Sequence, residues 1–233
     1  MKKEITTKQT FFKELSILID KLHNKGIKET KTISIVYQIA FGIIESTGAL
    51  KKPFQYNITS LNIKKEIIDE YSNEIIKTAF LLIYTIQEDE AFNDLMSDFI
   101  EDNQATNKRL GQFFTPQDVA KLMAVLTFST SSIKDFEEKE NKSLSDATCG
   151  SGSLILASLQ ALKNIKGFTD EHYQKVNVYM NDIDEDLSKI AFFQVLLNSL
   201  FHMKPLGKLY VEAKNLITEY TEHKNELIFI SNN

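Results

Sequence analysis

Two acidic residues, each at the end of a short apolar run, are the residues most suited to chemistry in this chain. The first opens Asp146-Ala147-Thr148-Cys149-Gly150-Ser151-Gly152-Ser153-Leu154, and the second lies in Asn181-Asp182-Ile183-Asp184. A Gly-x-Gly turn at a strand's carboxyl end lets backbone approach a ligand closely, because glycine has no Cβ in the way. An acid at the end of the following strand can accept hydrogen bonds from ribose hydroxyls. Asp146 suits a cofactor that carries a positive amino group. The third glycine of the dinucleotide fingerprint would fall at Ile155, which disfavours NAD, and no Gly-Lys-Ser/Thr follows to make a phosphate loop. Gly152 and Asp182 are 30 residues apart, longer than the roughly 20 of the dinucleotide fold; the loop from Gly167 to Asn177 can absorb the excess. On this turn alone, an ordinary α/β turn with solvated acids fits about as well as a nucleotide-like site.

Cys149, the only cysteine, lacks a histidine pattern that would supply a base, so it reads as a small buried side chain rather than a nucleophile. His23, His172, His202 and His223 show no metal-ligand spacing, and no metal is expected.

The elements that would position these residues alternate. Pro116 to Phe128 reads as a helix with Thr115 as its N-cap, followed by a polar surface loop from Ser129 to Lys142. A strand near 144–147, a helix from Ser153 to about Lys166, a strand at Val176–Met180 and a helix at 186–201 come next, then strands at Leu209–Val211 and Leu227–Ile230. Strands alternating with helices imply a parallel α/β sheet. Residues 8–102 read instead as helices. Phe11, Phe12, Leu15, Leu18, Ile19 and Leu22 recur at helical spacing, as do Ile33, Ile35, Val36, Ile39, Ala40 and Ile43, and Thr59-Ser60 offers an N-cap for a helix from Leu61 to about Ile86, with a further piece through Ile100. A bundle or a partner-docking surface would both produce this pattern. The polar stretch Glu101–Asn107 is the best boundary, giving a helical domain over 1–107 and an α/β domain over 108–233.

Composition narrows the class. The longest apolar run, Ala79–Tyr84, is far short of the roughly 20 residues that span a bilayer. The start carries charges with no apolar region behind them, and a single cysteine suits a reducing cytoplasm. Net charge is −5, and Arg109 is the only arginine. A protein that reads bases by itself places several Arg or Lys along phosphates and in grooves; nothing here looks like a self-sufficient DNA-recognition surface.

Gly111-Gln112-Phe113-Phe114-Thr115-Pro116, the Asp146–Gly152 turn and Asn181–Asp184 occur in that order. Together they resemble the adenine-specific (N6) DNA methyltransferases, particularly the modification subunits of type I restriction–modification systems. The resemblance covers about residues 108–232 well and the helical half in character only. It implies a helical amino-terminal domain followed by a partial S-adenosylmethionine-dependent methyltransferase (Rossmann-like) parallel sheet. Carried over to this chain, Phe114 and Thr115 would line the methionine end of the cofactor, Asp146 would face its amino group, Gly150 and Gly152 would pass beside it, and Asp182 would hold the ribose. DNA would be the substrate, reached with a protein partner that supplies target recognition and further strands.

The chain also departs from that family. Where an acidic residue is expected after the third strand it has Ala213-Lys214-Asn215-Leu216, with Glu212 as a neighbouring substitute. Where Asn-Pro-Pro-Tyr/Phe is expected it has Ser231-Asn232-Asn233. Asn232 matches the catalytic asparagine, whereas the prolines and the base-stacking ring are missing. Positioning of a flipped base is worth about 7–11 kcal/mol of barrier, so the isolated chain is expected to be nearly inactive. A catalytically silent relative that binds cofactor or a methylase subunit, as a regulatory or decoy component, is the alternative.

Overall fold

The computed structural model describes residues 6–48, 55–56, 65–102, 115–137, 142–221 and 226–230. The chain divides into two compact units, one drawn from Met1–Leu50 and Ser60–Glu90, the other from Lys51–Thr59 and Ala91–Asn233.

The first unit contains helices α1 (Thr7–His23), α2 (Glu29–Ser46), α3 (Lys65–Glu70) and α4 (Ser72–Glu88). Thr6 starts α1 with a capping box: its hydroxyl accepts from the Gln9 N–H and the Gln9 side chain accepts from the Thr6 N–H, both at 3.2 Å. The helical spacing seen in the sequence becomes the core, since Phe11, Leu15, Leu18 and Leu22 of α1 are buried with Ile33, Val36 and Ala40 of α2 and Ile75, Ala79, Leu82 and Ile86 of α4. The helix expected to run unbroken to Ile86 is interrupted at Tyr71, whose φ of −112° and ψ of 16° are not helical. Its expected cap, Thr59-Ser60, lies outside the described residues.

The second unit is built on a five-stranded sheet in the order β1-β5-β4-β3-β2. Its strands are β1 (Gln55–Tyr56), β2 (Lys142–Asp146), β3 (Val176–Asp182), β4 (Lys208–Ala213) and β5 (Leu227–Ile230). Between them run α5 (Leu95–Asp102), α6 (Gln117–Phe128), the short α7 (Lys134–Glu137), α8 (Ser153–Leu162), a 3₁₀ turn at Asp170–Lys175 and α9 (Glu185–Phe201). β2, β3 and β4 are parallel, with Asp146 opposite Met180 and Asp182 opposite Ala213. α8 packs on β2, and α9 packs on β3 and β4. α6 lies against α8 through small side chains, Ala120 and Ala124 against Ala157 and Ala161. The architecture is the expected α/β one, a mostly parallel sheet with helical crossovers.

Two local expectations are corrected. β5 does not continue the parallel set. It runs antiparallel to β4, with Leu227 opposite Val211 and Ile230 opposite Lys208, and β1 pairs antiparallel on its other side. A parallel return needs a crossover, usually a helix. The described residues after β4, 214–221, instead form turns: the Asn215 carboxamide oxygen accepts the N–H groups of Ile217 and Thr218. The second correction concerns Thr115, which is not the N-cap of α6. Pro116 holds that position, with φ −55° and ψ 142°, and no side chain caps the helix.

No helix among the described residues is long and apolar enough to cross a membrane.

Candidate functional site

The site forms where β2 and β3 end side by side. β2 stops at Asp146, and a six-residue turn carries the chain into α8. Two glycines make that turn possible. Gly150 has φ +52° and Gly152 φ +98°, in the left-handed region that side chains with a Cβ rarely adopt. At Gly152 a Cβ would also come within 3.3 Å of the Ala191 Cβ on α9, so the residue serves both the turn and the close approach of two helices.

The end of β3 is sewn to this turn by hydrogen bonds. The Cys149 N–H donates to the Asn181 carbonyl at 2.8 Å. The Asn181 carboxamide donates to the Ala147 carbonyl at 3.1 Å and to the Lys214 carbonyl at 3.2 Å, tying β2, β3 and β4 together at one level. The Asp182 carboxylate accepts from the Gly150 N–H at 2.8 Å and from the Asp184 N–H at 2.9 Å. Asp184 then caps α9, accepting from the N–H groups of Asp186 and Leu187.

A cavity of about 270 Å³ opens above this junction, lined by Thr115, Asp146, Thr148, Cys149, Gly150, Ser151, Ser153, Leu154, Asp182 and Leu187. The structure therefore brings Thr115, Asp146, Gly150 and Asp182 to one wall; Gly152 shapes the turn behind it. Phe114 and Asn232 lie outside the described residues. Ser151, Ser153 and Leu187 are wall residues that the sequence reading did not single out. The two serines were within the quoted turn, and Leu187 sits one turn beyond an acidic N-cap, which was the available signal.

Asp146 is the most exposed to chemistry of this set in an electrostatic sense. One carboxylate oxygen accepts from the Thr148 N–H at 3.1 Å, while the other is buried with no hydrogen-bond partner. Burial pushes its pKa above the usual carboxylate range, the Thr148 N–H pulls it back, and the Asp182 charge adds to the rise. Cys149 is buried, and burial together with the charges of Asp182 and Asp146 pushes its thiol pKa upward. It is a thiol at neutral pH, not a nucleophilic thiolate. No cluster of three His, Cys, Asp or Glu suited to a metal occurs among the described residues.

The carboxyl-terminal part of β4 and the residue after it are arranged differently. Lys214 Nζ lies 2.7 Å from Glu212, and the Tyr210 hydroxyl sits 2.5 Å from Glu212 and 2.6 Å from Glu226. Neither Glu212 nor Lys214 reaches the cavity wall.

The sequence model of the N-6 DNA methylase family matches residues 87–212, which contain the turn, the three parallel strands and α5 to α9. The chain belongs to the N-6 DNA methylase family. No curated protein matches it in sequence. Among solved structures it is similar to one from Listeria monocytogenes assigned to the class I S-adenosylmethionine-dependent methyltransferases, at 16% identity and a TM-score of 0.47, over 91% of this chain and 56% of that one. It is also similar to a type I restriction–modification methyltransferase subunit from Streptococcus thermophilus, at 15% identity and a TM-score of 0.45, over 92% of this chain and 60% of that one. The chain thus spans little more than half the length of these two structures.

The wall in this member of the N-6 DNA methylase family fits a ligand that brings a cation and hydroxyl groups. The unpartnered oxygen of Asp146 and the buried, unpartnered hydroxyl of Ser151 are groups whose burial costs free energy until something bonds to them.

Proposed function

We propose that this chain is part of a site-specific DNA adenine-N6 methyltransferase of the restriction–modification type, and that the cavity between Asp146 and Asp182 binds its S-adenosylmethionine. The observation that carries the reading is the buried carboxylate oxygen of Asp146, without a partner in the wall of a glycine-built cavity. A cationic amino group placed there recovers the free energy lost in desolvating that oxygen. Asp182 already accepts two backbone N–H bonds; its remaining lone pairs serve ribose hydroxyls. Thr115 lines the same cavity, and Phe114 beside it is assigned to the methionine end. Gly150 and Gly152 let the turn pass along the ligand without a Cβ between.

When bound, S-adenosylmethionine supplies an activated methyl group; the residues named here bind and orient it. On its sequence match alone, Asn232 is proposed as the acceptor for the target amino group. Its strand ends at Ile230, opposite Lys208 at the start of β4, so this role requires that strand end to be brought to the cavity side of the sheet in the assembled enzyme. DNA is the substrate, in the cytoplasm. With a net charge of −5 and a single arginine, the chain draws target recognition from a partner subunit.

Calorimetry with S-adenosylmethionine tests the cofactor site: saturable one-to-one binding supports it, and no binding overturns it. Transfer of labelled methyl groups to unmethylated DNA, with the product of the adjacent reading frame added, tests the reaction. Binding without transfer in every such mixture would favour the silent relative.

A further inference from the structure

Behind the cavity wall lies a buried polar chain that starts in the segment leading into α5. Asp94 caps that helix, one carboxylate oxygen accepting from the Met96 and Ser97 N–H groups at 3.2 and 3.1 Å and from the Gln194 carboxamide at 3.3 Å. The same carboxamide donates to the Ser151 carbonyl in the turn at 2.8 Å. The second oxygen of Asp94 accepts the Ser97 hydroxyl at 2.6 Å, and the Ser97 oxygen lies 3.4 Å from that of Ser153. Asp94, Ser97, Ser153 and Gln194 are all buried, so bulk water does not compete for these bonds.

The donor count fixes a direction. A serine hydroxyl has one proton, and that of Ser97 is committed to Asp94. Towards Ser97, then, Ser153 can only donate, which leaves its lone pairs to the cavity that it lines. We propose that Asp94, which does not touch the cavity, is a positioning residue: through Ser97 it turns the Ser153 hydroxyl so that it meets the cofactor as a hydrogen-bond acceptor. The proposal rests on the cofactor reading given above and adds to it a second acceptor beside Asp146, suited to a ligand rich in N–H donors.

Asp94→Asn isolates the effect. Asparagine keeps an acceptor for the two backbone N–H groups and for Gln194, and it is as good an N-cap as aspartate. It presents an NH₂ to Ser97, which must then accept there and donate onward, so that Ser153 turns its own proton to the cavity. Titration of the full chain with S-adenosylmethionine is expected to show about tenfold weaker binding for Asp94→Asn, the scale of one hydrogen bond to a charged group. In a Ser153→Ala background the same substitution is expected to change nothing, an outcome that a merely structural role for Asp94 would not give. Binding by Asp94→Asn within twofold of wild type overturns the proposal, as does a tenfold loss that persists in the Ser153→Ala background. If Asp94→Asn fails to fold by circular dichroism, Ser97→Ala takes its place, expected to weaken binding about threefold and to lose that effect in the Ser153→Ala background; an effect that persists there overturns the proposal. A wild-type chain that does not bind S-adenosylmethionine overturns the cofactor reading and this proposal with it, whereas normal wild-type binding with insensitive variants overturns the relay alone.

Discussion

Two acidic clusters stand at the carboxyl ends of adjacent parallel strands, and they have opposite electrostatic accounts. At the end of β4, Glu212 is held by Lys214 at 2.7 Å, and the Tyr210 hydroxyl lies between Glu212 and Glu226 with one proton to give to either. At the ends of β2 and β3, Asp146 and Asp182 face a cavity, and the hydrogen bonds shown for them come only from backbone N–H groups, with one Asp146 oxygen left bare. In the first cluster a lysine from the same strand end lies against the buried carboxylate and offsets its charge. The second holds negative charge that the fold leaves uncompensated, which is costly unless something cationic arrives. Acidic residues at strand ends therefore mark a binding site here only where their compensation is incomplete.

That contrast fails if removing an acid from the open cluster leaves binding intact. The largest effect is expected at Asp182. Its carboxylate anchors the turn through Gly150 and the start of α9 through Asp184, and it is also assigned to the cofactor ribose. Asp182→Ala removes two charge-assisted bonds of about 1.5–3 kcal/mol each. S-adenosylmethionine binding should fall by more than about a hundredfold, with a lower unfolding midpoint. Calorimetry and a urea melt read both; unchanged binding would falsify the assignment.

The closed cluster should respond in stability alone. Lys214→Met removes the cation 2.7 Å from the buried Glu212 carboxylate, at a cost of about 3 kcal/mol. Cofactor affinity is expected to stay within twofold of wild type, because neither side chain lines the cavity. A melt that does not move, or affinity that collapses, would erase the distinction between the clusters.

The sequence carried this distinction only in part. The turn at 146–154 was legible because its signals are local: glycines where φ is positive, an acid at the strand end, a helical pattern after. Strand and helix positions from Lys142 to Ala213 were legible for the same reason. The direction of β5 was not, because four apolar residues pair equally well in either direction, and what decides is the connection before them. The state of Glu212 was also hidden. Lys214 stood out in sequence as a misplaced residue, and only the structure shows it neutralising its neighbour. The role of Asp94 was invisible, since it rests on contacts with residues about a hundred positions away, such as Gln194.

Asp146→Asn should affect binding less than Asp182→Ala and move stability the other way. The substitution keeps the acceptor for the Thr148 N–H and removes a buried charge. Binding is expected to weaken about tenfold, while the fold at neutral pH becomes equally or more stable. The sign follows from linkage. A carboxyl whose pKa is raised on folding binds its proton more readily in the native state, so its contribution favours the fold at low pH and is lost as pH rises through the raised pKa. Cofactor affinity runs in the opposite sense. Only the ionised carboxylate attracts the amino group, so affinity should fall as pH is lowered through that pKa, at a point above the ~4 of an ordinary aspartate. Asp146→Asn should abolish this acid-side fall. A wild-type profile still flat below pH ~4, or one unchanged in the variant, would remove Asp146 from the site.

The smallest effect is expected at Cys149, although it lines the same cavity. Its side chain is buried, its thiol lies 3.6 Å from the Gly150 carbonyl, and its pKa is pushed upward by burial and by both aspartates. Any thiolate formed there would add a third negative charge to the open cluster, which is why the proton stays. Cys149→Ala removes one sulfur atom and a weak bond, costing about 1 kcal/mol or less of stability, and it should leave S-adenosylmethionine affinity within twofold. The native thiol should react with a disulfide reagent at neutral pH far more slowly than the same thiol in urea. Fast labelling of the folded chain, or loss of cofactor binding in Cys149→Ala, would mean that the open cluster holds its charge on sulfur as well as oxygen, and the contrast with the closed one would have to be redrawn around the cysteine.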